Sequence, residues 1–555
     1  MNVPSGFKQA LLASLAPCAA LRAGFWPFLV FALALLPRLV GLGDRSFWLD
    51  EIFTLNRASL APTALALNSF QNHHMPWFFL LLSPLTHTAH PEYWLRFPSA
   101  IFGALSVALV FIIATRVAGW LAGGLAALYL GLSPIALGFA QEARSYTLVM
   151  ALILIALYGV VRLAQDWRST RAGWFCYILG TISALAVLGD SLPWFIAANL
   201  IFVSLLPFVP EAKRFVRRVL LADAIILVAT APLYAVMLHY QSQAVTTSLG
   251  WIPQLSLSQI WYSFGSIYLM HVPDWVSFRL LTHHEIPGLV WLLDLLLLLS
   301  LWAAIWRLRH WPEMLITLGI SFLFLPCLFL AISVVHPVLL PRYLLWSAAP
   351  FAILVGVGTS VLLKICVIPG GVDADRYAHG AGGAATRKIK ELYRRSTGWR
   401  ESKARAAGIK PISLQKPGIL AVAIILALNV LPYYKNELKP DWNIAAQKLA
   451  EDVKPGDVVL FSDTGAVPIL KYYLASSAAA LVLGSPYTSL SDAEAALKQG
   501  KRVWVIYGHA GQNTSTHVSF FGQLQALGTP SLVQKAGKRI TIALYYPTYK
   551  LASGG

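Results

Sequence analysis

Two adjacent carboxylates, Asp50 and Glu51, follow directly on the first long apolar run, inside Gly43-Asp44-Arg45-Ser46-Phe47-Trp48-Leu49-Asp50-Glu51-Ile52-Phe53-Thr54. Acidic side chains beside a bilayer are costly unless they have work or a partner there. An ionised carboxylate within hydrogen-bond reach can take a proton from a nucleophilic hydroxyl. Three later arginines, Arg96, Arg144 and Arg342, offer the complementary chemistry. Guanidinium groups hold phosphate, and a phosphate leaving group needs cations more than it needs an acid. Carboxylates and arginines gathered at a lipid interface therefore point to transfer from a lipid phosphate. The residues alone do not name the group transferred.

The elements that must position these side chains are membrane helices. The chain has 555 residues, 57% hydrophobic and 12% charged, with a mean hydropathy of +0.63. A soluble protein of this length carries about a quarter charged residues. Eleven apolar runs long enough to span are bounded by charge, Pro or Gly: roughly 24–42, 97–115, 119–137, 144–163, 173–189, 192–209, 217–238, 287–306, 313–335, 342–365 and 417–433. The stretch 75–88 is apolar but too short, and reads as a re-entrant or interfacial helix. The net charge of +18 is what basic cytoplasmic loops produce; no nucleic-acid partner is expected. With the N-terminus inside, twenty-four Lys and Arg fall on the inner side and about seven on the outer side. That asymmetry puts Asp50 and Glu51 outside, together with everything after residue 433. The basic segment 367–416 is then an inner loop lying on anionic lipid.

The chain divides into a membrane domain, 1–433, with outer loops 43–96 and 239–286, and a tail, 434–555. In the tail, helical patterns (to about 452, 466–475, 490–499, 517–527) alternate with strands (458–461, 479–483, 502–507, 539–545). This alternation predicts a small α/β domain with a largely parallel sheet.

Polar residues collect on the outer face. Nine of the thirteen histidines lie in the outer loops between spans, on the side that also holds Glu142, Arg144, Tyr146, Asp190 and Arg342. A transporter of polyprenyl-linked lipids or glycans, the alternative reading, would place ionisable groups nearer the midplane. Structural readings remain open for each residue. Asp50 and Glu51 suit the first turn of an interfacial helix. Glu142 and Arg144 suit an ion pair capping the fourth span, and Arg342 suits a snorkelling interface residue. His73-His74 and His283-His284-Glu285 invite a metal, yet neighbouring residues on a helix face apart, so no metal is expected to be required. Asp223 and Asp294, inside spans, should hydrogen-bond neighbouring helices.

In ordered positions along most of its length the chain resembles the GT-C membrane glycosyltransferases. The likeness is to the bacterial family-39-like group that includes lipid A aminoarabinose transferases and protein mannosyltransferases. The residues that carry it are Trp48-Leu49-Asp50-Glu51, His74-Met75-Pro76-Trp77, Leu95-Arg96-Phe97-Pro98-Ser99, Ser133-Pro134 with Gln141-Glu142-Ala143-Arg144-Ser145-Tyr146, and Arg342-Tyr343. The start of the tail, 440–460, also looks like that group's outer domain. Gly189-Asp190-Ser191 departs from it, since a His or other polar residue near a Tyr is common at this place. The resemblance implies an all-α polytopic membrane domain and an inverting transferase of the cytoplasmic membrane, with no cofactor. The donor would be a polyprenyl-phosphate sugar, and the acceptor a hydroxyl of lipid A, another glycan or a protein. Asp50 would be the base, with Glu51 orienting it or the acceptor. Arg144, with Glu142 and Tyr146, and Arg342, with Tyr343, would bind the lipid phosphate. His74 and Arg96 would be secondary contacts.

Overall fold

The computed structural model describes residues 24–168, 170–240, 252–275, 278–280, 287–365, 415–435, 439–461, 466–474, 490–508, 527–537 and 539–547. The expected strand 479–483 and nearly all of the helix 517–527 lie outside the described residues, as do His283-His284-Glu285 and most of the basic segment.

All eleven apolar runs are helical. Among the described residues, eight helices are long and apolar enough to cross a membrane: Pro91–Ala118, Tyr146–Asp166, Gly189–Phe208, Ala212–Tyr240, Gly288–Leu308, Pro312–Ser333, Pro341–Leu363 and Lys416–Lys435. Trp120–Gly131 and Pro134–Ala140 make a ninth if the pair, bent by 65°, is one span. Gly24–Leu39 and Arg171–Val187 are apolar but shorter. The chain is a multi-pass membrane protein. Prolines begin several of these helices, at Pro91, Pro312 and Pro341, where the missing N–H costs nothing.

The helix Pro341–Leu363 is the axis of the bundle. Its membrane window is 94% buried, against 28% for Pro312–Ser333 or Lys416–Lys435. Close approach is possible because small residues meet there: a Cβ at Gly356 would lie 2.6 Å from the Ala122 carbonyl oxygen. Membrane helices pack through such small faces. Polar groups on the axis are satisfied within the bundle, with Tyr268 and Ser347 hydroxyls 2.7 Å apart and Ser300 and Thr359 hydroxyls 2.8 Å apart. Asp223 accepts from the Tyr177 hydroxyl of a neighbouring helix at 2.8 Å, as the sequence suggests, whereas Asp294 lies 3.1 Å from Nε2 of His271, which belongs to a loop and not to a helix.

One end of the bundle is covered by short elements. We number the helices from the first described: α1 (Gly24–Leu39), α2 (Leu49–Ala58), α3 (Pro62–Gln71), α4 (Trp77–Leu82) and α5 (Pro91–Ala118). The short segment expected at 75–88 is α4 with one further turn, Ser83–Leu85. A two-residue hairpin, β1 (Pro273–Asp274) with β2 (Arg279–Leu280), belongs to the loop after the helix Ala212–Tyr240.

The tail is α/β, but its sheet is not largely parallel. The order is β3 (Val458–Phe461), β4 (Val503–Gly508), β6 (Ile540–Tyr545), β5 (Leu532–Lys535). Among the described strands, only β3 and β4 are parallel; β4–β6 and β5–β6 are antiparallel. For β5–β6 the reason is chain length. Residues 536–539 join β5 to β6, and a parallel return needs about a dozen residues or more. Strand β5 is an exposed edge with little apolar alternation, which hides it from sequence patterning. Alternate residues of β3 and β4 serve two cores. Val458, Leu460, Val503 and Val505 face one that includes Ala493 and Ala496. Val459, Phe461, Trp504 and Ile506 face another that includes Trp442, Ala445, Ile469 and Leu470. That second core continues through Phe47, Ile52, Phe78, Leu95 and Ala143. The tail therefore packs directly on the short helices around Asp50.

Candidate active site

Asp50 and Glu51 both occupy the first turn of α2. Consecutive helical residues point about 100° apart, and here the two carboxylates go to different surroundings. Glu51 is fully buried, and Arg96 from α5 meets it as a bidentate fork, Nε to Oε1 at 2.7 Å and Nη2 to Oε2 at 2.8 Å. Oε1 also accepts the Ala143 amide at 2.9 Å, and Oε2 the Trp48 amide at 3.3 Å. The other donors of Arg96 reach the Leu42, Arg45 and Ser46 carbonyls at 2.8–3.0 Å. All five guanidinium N–H groups are thus used. Burial opposes the Glu51 charge. Arg96 first, then Lys439 and the Ala143 amide, outweigh it and hold the carboxyl below its usual range.

Asp50 is more open. Its side chain retains 23% exposure, and Oδ2 accepts from Arg342 Nη1 at 2.8 Å. Arg342 stands at the head of the buried axial helix, which fixes its backbone. Arg144 lies beside the pair, but its contacts are long: Nη1 is 3.5 Å from the Asp50 carbonyl and 3.4 Å from Thr54 Oγ1, and Nη2 is 3.5 Å from the Tyr146 hydroxyl. These distances are at the limit of a hydrogen bond, so its donors stay available to an anion. Burial works against the Arg144 charge, and Tyr146 and Asp50 more than offset it, raising the pKa. The guanidinium stays cationic. Its backbone is held by α5, where Ser99 Oγ donates to the Arg144 carbonyl at 3.0 Å. The Tyr343 ring lies 5.4 Å from the Arg342 guanidinium.

His74 is half-buried in the same region. Burial first, then the charges of Arg144, Arg57 and His73, pushes its imidazole well below the usual histidine range. Arg57 donates to Asn68 Oδ1 at 2.9 Å and stacks on Phe79. Burial and then Arg144 lower it to about 10. Asp190 lies in the field of Arg342 and Arg144.

Glu142 does not pair with Arg144, as a capping ion pair would require. It is fully buried and its Oε1 accepts from Lys439 Nζ at 2.6 Å. Burial raises its pKa, Lys439 counters that, and Glu51 and Asp50 add to the rise. Lys439, near the start of the tail, is the functional candidate that sequence reasoning missed. Its signal was weak: it is one of two lysines in 435–439, with nothing in the sequence to mark it out from the other. The neighbouring chain is stitched to the acidic motif. Ser46 Oγ donates to the Pro440 carbonyl and accepts the Trp442 amide, and Tyr473 Oη accepts the Phe47 amide at 2.7 Å.

The structure thus brings Asp50, Arg144, Tyr146, Arg342, Tyr343 and His74 into one region. Glu51 and Arg96 form a sealed knot beside it, and Glu142 a separate pair with Lys439. Among the described residues, no group of three or more His, Cys, Asp or Glu side chains could hold a metal ion. Chemically, the arrangement offers an accessible carboxylate, Asp50, bonded to one cation and beside a second, with the exposed Asp190 in the field of both.

No family model and no curated protein sequence matches the chain. Solved structures do. The chain is similar to ArnT from Cupriavidus metallidurans in the apo state, with TM-score 0.52 and 15% identity over 94% of this chain and 98% of that one. It is also similar to the archaeal oligosaccharyltransferase AglB from Archaeoglobus fulgidus, in complex with an inhibitory peptide and a dolichol-phosphate. There the TM-score is 0.50 and the identity 13%, over 90% of this chain and 71% of that one. The fold is that of the GT-C membrane glycosyltransferases.

Proposed function

We propose that the protein is an inverting glycosyltransferase that takes its sugar from a polyprenyl-phosphate donor at the outer face of the cytoplasmic membrane. The observation that carries this reading is the convergence of Asp50, accessible and held by Arg342, with the loosely bonded Arg144. Asp50 accepts the proton of an acceptor hydroxyl as its oxygen attacks the anomeric carbon. The bond from that carbon to the phosphate oxygen breaks, and the lipid phosphate departs between Arg144 and Arg342. Those two cations carry the developing charge, so no acid is needed for the leaving group. Arg342 bridges base and phosphate and keeps them in register. The AglB structure contains a dolichol-phosphate, which supports a lipid phosphate as the donor's carrier. The acceptor is a hydroxyl of lipid A, another glycan or a protein.

The test is transfer from labelled polyprenyl-phospho-sugar by the purified protein in lipid nanodiscs, with an envelope extract as acceptor. Wild type should transfer label and Asp50→Asn should not, with both equally folded. Equal transfer by the mutant would remove Asp50 as the base. A reporter fused after residue 440 should be active only outside; cytoplasmic activity would reverse the sidedness.

A further inference from the structure

Beside the Asp50–Arg342 pair lies a second cluster that the proton and phosphate steps do not use. Glu142 is fully buried, and its Oε2 has no hydrogen-bond partner among the described residues. The indole Nε1 atoms of Trp48 and Trp275 are also buried and without partners there. All three residues surround one ammonium. Lys439 Nζ pairs with Glu142 Oε1 and lies 5.0 Å from the Trp48 ring centre and 5.9 Å from that of Trp275. The cluster adjoins the candidate site through ring contacts. Trp275 meets Phe139 edge-on at 4.8 Å, Phe139 meets Tyr146 at 5.3 Å, and the Tyr146 hydroxyl is a partner of Arg144.

Phosphate does not fit here. An anion would meet the Glu142 carboxylate, with Asp50 and Glu51 nearby. Buried polar groups are normally paired, and leaving them unpaired is costly. One ligand class answers all three orphans. The hydroxyls of a sugar ring donate to a carboxylate and accept from indole N–H groups, while its C–H surface packs against aromatic side chains. Resting on the glycosyltransferase reading, we propose that Glu142 Oε2, Trp48 Nε1 and Trp275 Nε1 form the subsite that binds hydroxyls of the transferred sugar. Lys439 is its positioning residue. It fixes the carboxylate rotamer through Oε1 and leaves Oε2 for the sugar. Because Lys439 belongs to the start of the tail, the tail's docking on the acidic motif holds this subsite in place.

Binding separates this subsite from the phosphate site. The full-length protein in nanodiscs is titrated with a polyprenyl phosphate, and with the same lipid carrying each of a panel of hexoses and pentoses. Wild type should bind at least one conjugate more tightly than the bare lipid phosphate. Glu142→Gln should weaken that conjugate by about tenfold and leave the bare lipid unchanged. Trp275→Phe keeps an aromatic ring, removes the N–H, and should show a smaller loss of the same kind. It carries the test if Glu142→Gln does not fold. Lys439→Met should behave as Glu142→Gln, and Lys439→Arg should restore the preference. If wild type binds neither lipid form, the glycosyltransferase reading fails and the subsite with it. If the bare lipid binds but no conjugate is preferred, the subsite alone is overturned. It is likewise overturned if the variants weaken bare and glycosylated lipid equally, or leave the preference intact.

Discussion

Two arginine–carboxylate pairs lie one residue apart on α2, and they differ in almost every physical respect. Arg96–Glu51 is buried on both sides, bidentate, and fully hydrogen-bonded at short distances. Arg342–Asp50 is a single contact with 12% and 23% of the two side chains exposed. The first has no lone pair or donor to spare for a substrate. It ties the 42–46 loop, α2, α5 and the Ala143 amide into one unit. The second leaves a carboxylate reachable from outside, next to Arg144, whose contacts are all long. Two side chains of the same chemistry can thus do opposite work, because a helix sends neighbours in different directions. The sealed pair makes the open one geometrically reliable, since active sites are held by satisfied neighbours.

The contrast can be broken experimentally, and the largest effect should fall on the open pair. Asp50→Asn should lower the transfer rate by about 10²–10⁴-fold, the range for removing a general base. Its stability should change by under about 1 kcal/mol, as for a partly exposed pair. A large loss of thermal stability in that variant would assign Asp50 to the scaffold. For the sealed pair the pattern should invert. Glu51→Ala or Arg96→Ala should cost about 3–5 kcal/mol of stability, the penalty for stranding a buried charge. Replacing both by apolar residues should recover much of this, as read by melting in detergent. If Glu51→Ala folds normally and only loses activity, the division between a sealed and an open pair is wrong.

Arg342→Met should weaken polyprenyl phosphate binding by about tenfold or more, from one lost charged hydrogen bond. Arg96→Met, where it folds, should leave that affinity unchanged. A smaller effect is expected at the tail. Arg539, in the β5–β6 turn, clasps the fully buried Asp274 of the β1–β2 hairpin at 2.7 and 2.8 Å. Arg539→Ala should destabilise by about 1–3 kcal/mol and lower activity by loosening Trp275 next to it; unchanged melting would show that Arg279, 3.8 Å from Asp274, suffices. The smallest effect concerns pH. His74 is held neutral in the fold by burial, Arg144, Arg57 and His73, whereas an unfolded histidine takes up its proton near pH 6.5. Stability from this group is therefore present above that pH and is lost as pH falls through 6.5 towards the folded value. His74→Gln should flatten the drop in melting temperature between about pH 7 and pH 5; an unaltered slope would place the titration elsewhere.

Much of the fold is legible in the sequence because membrane helices announce themselves by length and apolarity. The eleven runs are helical, and the short apolar stretch after Met75 is a short helix. The tail sheet was harder. An exposed edge strand and a four-residue connection carry little pattern, so a largely parallel sheet is expected where two of the three described strand pairings are antiparallel. The candidate site was legible as a set of residue types, less so as partnerships. Nothing in Gln141-Glu142-Ala143-Arg144 says that Glu142 reaches Lys439, almost three hundred residues later, and not the arginine two positions away.

The sequence by itself determined that this chain lies in a membrane, which stretches are apolar enough to sit there, and which charged residues are too costly to be there by accident. Those conclusions rest on local transfer energies, which each segment carries on its own. Only the tertiary structure decided which cation meets which acid. Burial, hydrogen-bond saturation and residual exposure depend on elements far apart in the chain coming together, and those three quantities separate Asp50, open and singly paired, from Glu51, closed and fully paired.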